Sequence, residues 1–440
     1  MRQCLTAPEG GYYTRQTEGH DQFGAKGDFI TSPEISQVFG ELIGIWLYTE
    51  WVAQGKPTEN VQIIEVGPGR GTLMADVLRT ISVFDSFSRS VSDVYLVEAS
   101  PYLRDQQAKL LTRSKSLHGT EKASQSKILP GVNITWCDII KEIPPNNAGT
   151  PFIIAHEFFD ALPIHVFQNS SSAIPKSSTI ITPTGPIKPR QPIEPTNQWH
   201  ELLISPKGPS STLTTTTSVS SSQKHEQEEF QLTLSKSPTA HSLLLPKRSQ
   251  RYKSLSNTPD AIIEISPESL DCAAAIATRI GGSPSSPKHK ASGAALILDY
   301  GPKDTIPANT LRGIRAHRPA SPLSSPGLVD LSADVDFIAL AESALDASPN
   351  VEVHGPVEQA FFLETMGIRQ RAEKLVEAAR AKGGPGDKEL EENVKSLEGS
   401  WKRLVDRGPQ GMGRLYKAMA IVPYNKQGVR RPVGFGGDFA

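Results

Sequence analysis

The sequence predicts an α/β fold in which helices cover a parallel sheet. Three observations predict it. Short apolar, β-branched runs recur along the chain: Val61–Val66 (VQIIEV), Val94–Val97 (VYLV), Phe152–Ala155 (FIIA) and Ala295–Tyr300 (ALILDY). The stretches between them are long enough for crossover helices. The first run ends in a glycine-rich turn that opens onto the helical pattern TLMADVLRTI. Unbroken apolar runs of this length fit strands buried on both faces.

Composition narrows the classes. The chain has 440 residues, with 46 Lys+Arg against 47 Asp+Glu. A net charge of −1 excludes a strongly basic protein that grips nucleic acid along its whole surface. Cys4, Cys137 and Cys272 are too few and too scattered for a disulfide framework or a cysteine metal site, so a reducing compartment is expected. No apolar run approaches the ~20 residues of a membrane span. The opening MRQCLTAPEGGYY shows no apolar signal segment and no long Arg-rich presequence.

Four regions follow. Residues 1–60 read as an N-terminal helical cap segment. Ser32-Pro33-Glu34 is a helix start, with Ser32 as cap, Pro at the first turn and an acid at the positive dipole end. Behind it, Ile35, Val38, Phe39, Leu42, Ile43 and Trp46 repeat at helical spacing and form a core face. Residues 61–168 hold the cofactor-binding half of the sheet. Residues 169–260 form an insertion: eleven of the seventeen residues from Pro206 to Ser222 are Ser or Thr, and such a stretch buries too little apolar surface to order itself. ELLI (Glu201–Ile204) and FQLTL (Phe230–Leu234) within it predict a surface hairpin. Residues 261–440 hold a polar loop (Gly281–Lys290), the ALILDY strand, a helical part broken at Ala381–Asp387, and a final strand near Ala418–Val422. No internal repeat is present. The Asn133-Ile134-Thr135 sequon carries no weight without a secretory signal.

The chemistry concentrates in Glu65-Val66-Gly67-Pro68-Gly69-Arg70-Gly71-Thr72. Gly67, Gly69 and Gly71 let the backbone turn sharply and approach a ligand. Thr72 stands where a dinucleotide fingerprint has its third glycine, and no Lys-Ser/Thr pair follows, which excludes a P-loop. Glu65 would repel a phosphate and attract an ammonium group. S-adenosylmethionine carries an ammonium, a sulfonium and a ribose diol. Glu98, ending the next strand, is placed to accept the ribose hydroxyls. Asp138, after the strand beyond, is expected to meet the adenine amine, with Trp136 packed on the ring.

GDFITSPEISQVFGELIGIW, VGPGRGTLMADVLR, EFFDALPIHVFQ, LVDLSADVDF and GPVEQAFFLETMGI resemble, in that order, the mitochondrial protein arginine methyltransferases of the complex I assembly factor type, whose bacterial relatives are called MidA. The resemblance covers nearly the whole chain outside the polar insertions. It implies a class I (Rossmann-like) S-adenosylmethionine-dependent methyltransferase fold with an N-terminal helical segment and inserted substrate-side elements. It further implies symmetric dimethylation of an arginine on the 49-kDa subunit of respiratory complex I, in the mitochondrial matrix. The family pattern has Asn where this chain has His156, and the chain's start aligns past the expected presequence. The GDFITSPE loop, with Asp28, Thr31, Ser32 and Glu34, is implied to close over the cofactor.

Methyl transfer needs a nucleophile held about 3–3.5 Å from the sulfonium carbon. Guanidinium is a poor one, since its charge is delocalised and its pKa exceeds ~12. Carboxylates that grip its fork localise the charge away from the reacting nitrogen. Glu157 and Asp160 follow the FIIA strand at the sheet's carboxyl end and are the expected pair, with Phe158 and Phe159 as walls. His165 is either a proton acceptor or a satisfied histidine beside a strand, and Asp299, Arg312 and Asp334 are candidates for the substrate side. Two other readings compete. His156-Glu157-Phe158-Phe159-Asp160 begins like H-E-x-x-H, but the fifth residue is Asp and Pro163 would disturb the required helix, so no metal is expected. The other is a methyltransferase fold kept as a catalytically silent assembly chaperone.

Overall fold

Every residue of β1 (Val61–Val66) is buried, and its side chains alternate between two separate cores. Ile63 joins one core and Ile64 the other, as the two-residue period of a strand requires. The structure is a computed structural model. It describes residues 1–15, 30–114, 122–145, 148–172, 180–182, 185–187, 196–208, 228–382, 388–425 and 430–436.

Ahead of β1 lie α1 (Arg2–Thr6), α2 (Ser32–Ile35) and α3 (Gln37–Ala53). After it come α4 (Thr72–Ser82), β2 (Val91–Val97), α5 (Pro101–Leu111), β3 (Ala123–Gln125), β4 (Asn133–Cys137) and β5 (Thr150–His156). The insertion contributes β6 (His165–Ser172), β7 (Thr196–Pro206), β8 (Phe230–Leu234), α6 (Ala240–Leu244) and β9 (Ile262–Ile265). Then follow α7 (Pro267–Gly281), β10 (Ala294–Tyr300), β11 (Arg312–Arg315), β12 (Arg318–Ala320), β13 (Asp330–Ser332) and α8 (Phe337–Ala347). The chain closes with β14 (Val351–Glu358), α9 (Gln359–Thr365), α10 (Ile368–Lys382), α11 (Lys388–Val405) and β15 (Tyr416–Pro423).

The main sheet has the order β14-β15-β10-β5-β1-β2-β4-β3. Its centre is parallel, as predicted, with β1 paired to both β2 and β5. Its β15 end is antiparallel. Helices α3, α4, α9, α10 and α11 pack their apolar residues on one face, and α7 and α8 on the other. Because β1 runs between β2 and β5 with connections leaving in opposite directions, the carboxyl ends of the strands open a crevice there, the usual ligand position of an open α/β sheet.

Four expectations need correction. The helix foreseen from Ser32 is two helices, broken where Ser36 is extended (φ −152°, ψ 124°). Its cap is Thr31, not Ser32: Thr31 holds the extended backbone of a cap, and Glu34 accepts its N–H at 3.3 Å. The hairpin is part of a four-stranded antiparallel sheet, β8-β7-β6-β9. Its β6 crosses the 168/169 boundary and pairs Gln168 with Ile262 and His165 with Ile265. Asp28, residues 209–222 of the Ser/Thr-rich stretch and Gly383–Asp387 lie outside the described residues.

A smaller core ties the start of the chain to the crevice. Leu5 and Tyr12 pack with Leu331 of the β12-β11-β13 sheet and with Val329 just before β13. No helix of the described residues is long and apolar enough to cross a membrane.

Candidate active site

A cavity of about 620 Å³ lies along the carboxyl ends of the parallel strands. The chain bends into it directly after β1. Gly67 (φ 71°), Gly69 (φ 53°) and Gly71 (φ 84°) are all left-handed, which side chains rarely adopt. A Cβ on Gly67 would also stand 2.7 Å from the ring of Phe158, so the position requires glycine twice over.

Glu65 lies beneath this bend, 2% exposed and lining the cavity. Its Oε2 is buried without a hydrogen-bond partner among the described residues. Burial, aided by Asp76 and Glu98, pushes its carboxyl up to about 8. A buried acid left so is an unfilled demand for a cation or a donor, and an ammonium group meets both.

Glu98 ends β2 and is oriented on every side. Its Oε1 accepts the Ser100 N–H at 2.8 Å and its Oε2 accepts from Gln107 Nε2 at 3.3 Å. Burial raises its carboxyl to about 7 despite these bonds. Gln107, fully buried on α5, is a hub that sequence reasoning missed. Its amide also donates to Gly69 O at 2.6 Å and accepts the Trp136 indole N–H at 2.8 Å. Trp136 is therefore a core residue, 0% exposed, and the expected stacking on adenine is overturned. Asp138 does line the cavity; it pairs with Arg104 and lies 3.6 Å from Lys122. Ile139 and Ile140 supply the apolar wall beside it.

The other end of the cavity is acidic and aromatic. Glu157 and Asp160 both line it, with Tyr13, Tyr300, Tyr416 and Asp330. Glu157 follows β5 in a left-handed conformation (φ 48°). Burial, then Asp160, holds its carboxyl well above the usual range, while the Ser32 N–H donating to its Oε1 at 3.4 Å pulls the other way. His156 Nε2 lies 3.3 Å from the same oxygen without hydrogen-bond geometry, and burial lowers its imidazole to about 3, so it is neutral. Asp160 is also raised by burial, against the hydrogen bond that the Tyr300 hydroxyl donates to its Oδ2. Tyr13 spans both ends: its hydroxyl donates to Asp330 at 2.8 Å, and its carbonyl accepts from Ser100 Oγ at 2.6 Å.

Asp299 does not line the substrate side. It is fully buried, and its Oδ2 accepts the backbone N–H groups of Phe158 (3.1 Å), Phe159 (2.9 Å) and Asp160 (3.4 Å). It holds the turn that carries both expected acids. Arg312 and Asp334 form an ion pair at 2.6 Å behind the cavity, with the guanidinium 4.4 Å from the Tyr300 ring centre. Phe158 walls the cavity, but Phe159 is core. His165 is hydrogen-bonded to Glu201 and lies away from the cavity, so it is not placed to take the acceptor's proton. Among the described residues, His156, Glu157 and Asp160 do not converge as a set of metal ligands. Thr31, Pro33 and Glu34 do border the cavity.

Known proteins resemble this chain in both sequence and fold. A family model described as S-adenosyl-L-methionine-dependent methyltransferase matches residues 42–357. The protein arginine methyltransferase NDUFAF7, mitochondrial, of Rattus norvegicus is 34% identical over 435 residues, covering 97% of this chain and 80% of that protein. Its Homo sapiens counterpart is 32% identical, covering 97% and 79%. Among solved structures, a Burkholderia thailandensis protein bound to S-adenosyl-homocysteine superposes with TM-score 0.63 at 20% identity, over 99% of this chain and 87% of that one; this likeness establishes the fold. On the matched length and the identity together, the chain belongs to the S-adenosyl-L-methionine-dependent methyltransferase family that includes the NDUFAF7 protein arginine methyltransferases, and it is an enzyme whose methyl donor is S-adenosylmethionine.

Proposed function

We propose that the chain is a protein arginine N-methyltransferase, and that its reaction is symmetric dimethylation of an arginine on the 49-kDa subunit of complex I, in the mitochondrial matrix. The observation that carries the arginine reading is the pair of buried acids at the far end of the cavity, Glu157 and Asp160, both held above their usual range. Two carboxyls side by side match the two-pronged fork of a guanidinium better than a single hydroxyl or amine. A guanidinium entering between them would displace their protons and be gripped as a fork. The complex I subunit, the symmetric product and the matrix rest on the sequence resemblance given above; the names of the relatives reach only as far as protein arginine methylation and mitochondria.

The donor supplies a methyl group on a positive sulfur. Glu65 would hold its ammonium, Glu98 its ribose hydroxyls and Asp138 its adenine amine, with Gly67, Gly69 and Gly71 giving the backbone room. Glu157 and Asp160 would hold the acceptor and keep its charge on the nitrogens that do not react. Tyr300 and Tyr416, edge to face with ring centres 5.3 Å apart, wall the acceptor from water.

The test is mass spectrometry of complex I subunits after incubation with the enzyme and labelled S-adenosylmethionine. Symmetric dimethylarginine on one subunit, absent when the target arginine is lysine, is the expected outcome. Label on lysine, or on no subunit, overturns the reading. Glu157→Gln should lower transfer by about 10²-fold or more while donor affinity stays within a few-fold.

A further inference from the structure

His165, Glu201 and His241 come from three elements, β6, β7 and α6, and meet outside the cavity. One donor atom from each lies within 4.8 Å of the other two. His165 Nδ1 is 2.6 Å from Glu201 Oε1, and His241 Nδ1 is 4.0 Å from Glu201 Oε2. The two imidazole centres are 4.2 Å apart and tilted by 45°.

The surroundings orient these donors. Thr239 Oγ1 donates to Glu201 Oε2 at 2.6 Å, and the Glu201 N–H donates to Ser235 Oγ at 3.0 Å. Thr239 also caps α6 through the Ser242 N–H, so the residue that aims the carboxylate also starts the helix carrying His241. The His165 ring lies parallel to Phe167 (6°), which limits its rotation. Such outer partners are what fixes ligands in known metal sites. The side chains are 27%, 9% and 56% exposed, so water can complete the coordination.

We propose that His165, Glu201 and His241 bind one divalent cation of the zinc class and thereby fasten α6 to the small sheet. Two imidazole nitrogens and one carboxylate oxygen suit zinc or its first-row neighbours, whereas magnesium and calcium prefer all-oxygen sets. The spacing of 36 and 40 residues, on separate elements, hides the group from any motif.

The test uses the full chain, stripped by chelator and titrated with zinc chloride in a zinc-buffered solution at neutral pH. Retention of one zinc per chain is expected, with a rise in melting temperature that magnesium does not produce. His241→Asn leaves the His165–Glu201 hydrogen bond intact, so the zinc-free variant should melt as the parent does. It should nonetheless bind zinc about tenfold or more weakly and lose the zinc-induced rise. His165→Asn should lose both as well. Failure to retain stoichiometric zinc, or zinc binding that His241→Asn leaves unchanged, overturns the proposal.

Discussion

Glu157 adopts a left-handed backbone that a side chain disfavours, and Asp299 holds it there by collecting the next three N–H groups. Asp299→Ala should strand those donors and destabilise the protein by about 3 kcal/mol, with transfer nearly lost. Asp299→Asn keeps an accepting oxygen, so denaturant unfolding should place it much closer to the parent. Equal stability of Asp299→Ala and the parent would refute this role. At Gly67 the argument is steric: Gly67→Ala should weaken donor binding, measured by calorimetry, because its methyl meets Phe158 and its φ is 71°. Glu65, the glycine bend, Glu98 and Glu157 were legible because each lies at a strand end, where the chain's own order puts it beside the others. Strand alternation, and not nearness to Asp138 along the chain, decides where Trp136 sits. It shares a face with Ile134, inside the helix-covered core, while Cys137 faces the other way. Gln107 and Tyr13 give no signal, since a glutamine on a helix and a tyrosine near the start of the chain look ordinary until tertiary packing brings them to Glu98 and Asp330.

Among the elements, α2 joins both ends of the cavity. Its Ser32 N–H donates to Glu157, and Glu34, which caps it, lies 3.4 Å from Arg70 in the glycine bend. These two functions separate by mutation. Arg70→Ala removes a partly buried ion pair across a 3.4 Å gap and should change stability by about 1 kcal/mol. It should still speed dissociation of S-adenosyl-homocysteine several-fold in stopped-flow experiments, because the latch between α2 and the bend is gone. Unchanged dissociation would show that α2 does not restrain the cofactor. Glu34→Ala should do the same and also cost about 1 kcal/mol through the lost cap. The helix start was legible one residue out of place, because Thr31 and Ser32 are both fit to cap and only the reach of Glu34 decides between them. Strands β6 and β9 were not legible as partners: almost ninety residues separate them, and their pairing is set by the core that Phe167 and Ile263 share.

Across the whole molecule, buried acids in the cavity and on α4 make stability depend on pH in an unusual direction. Glu65, Glu98 and Asp76 are held at about 8, 7 and 6 in the fold, all above ordinary carboxyl values. A carboxyl that binds its proton more tightly when folded favours folding at low pH, and that contribution is lost as pH rises through the folded value. For Glu65 the loss runs from its ordinary 4.5 to about 8. His156 acts oppositely: its imidazole is held at about 3, so stability falls as pH drops below its ordinary 6.5. The ligand-free enzyme should therefore melt at a lower temperature at pH 8.5 than at pH 6.5. A cationic donor group over Glu65 offsets that loss by favouring its ionised form. The rise in melting temperature produced by saturating S-adenosylmethionine should then be larger at pH 8.5 than at pH 6.5. Glu65→Gln separates the terms: it should flatten the ligand-free profile between those pH values and reduce donor affinity about tenfold or more, one lost charge-assisted contact. If Glu65→Gln keeps full affinity at both pH values, the ammonium lies elsewhere, and the burial of an ionisable group beneath the glycine bend has some other cause.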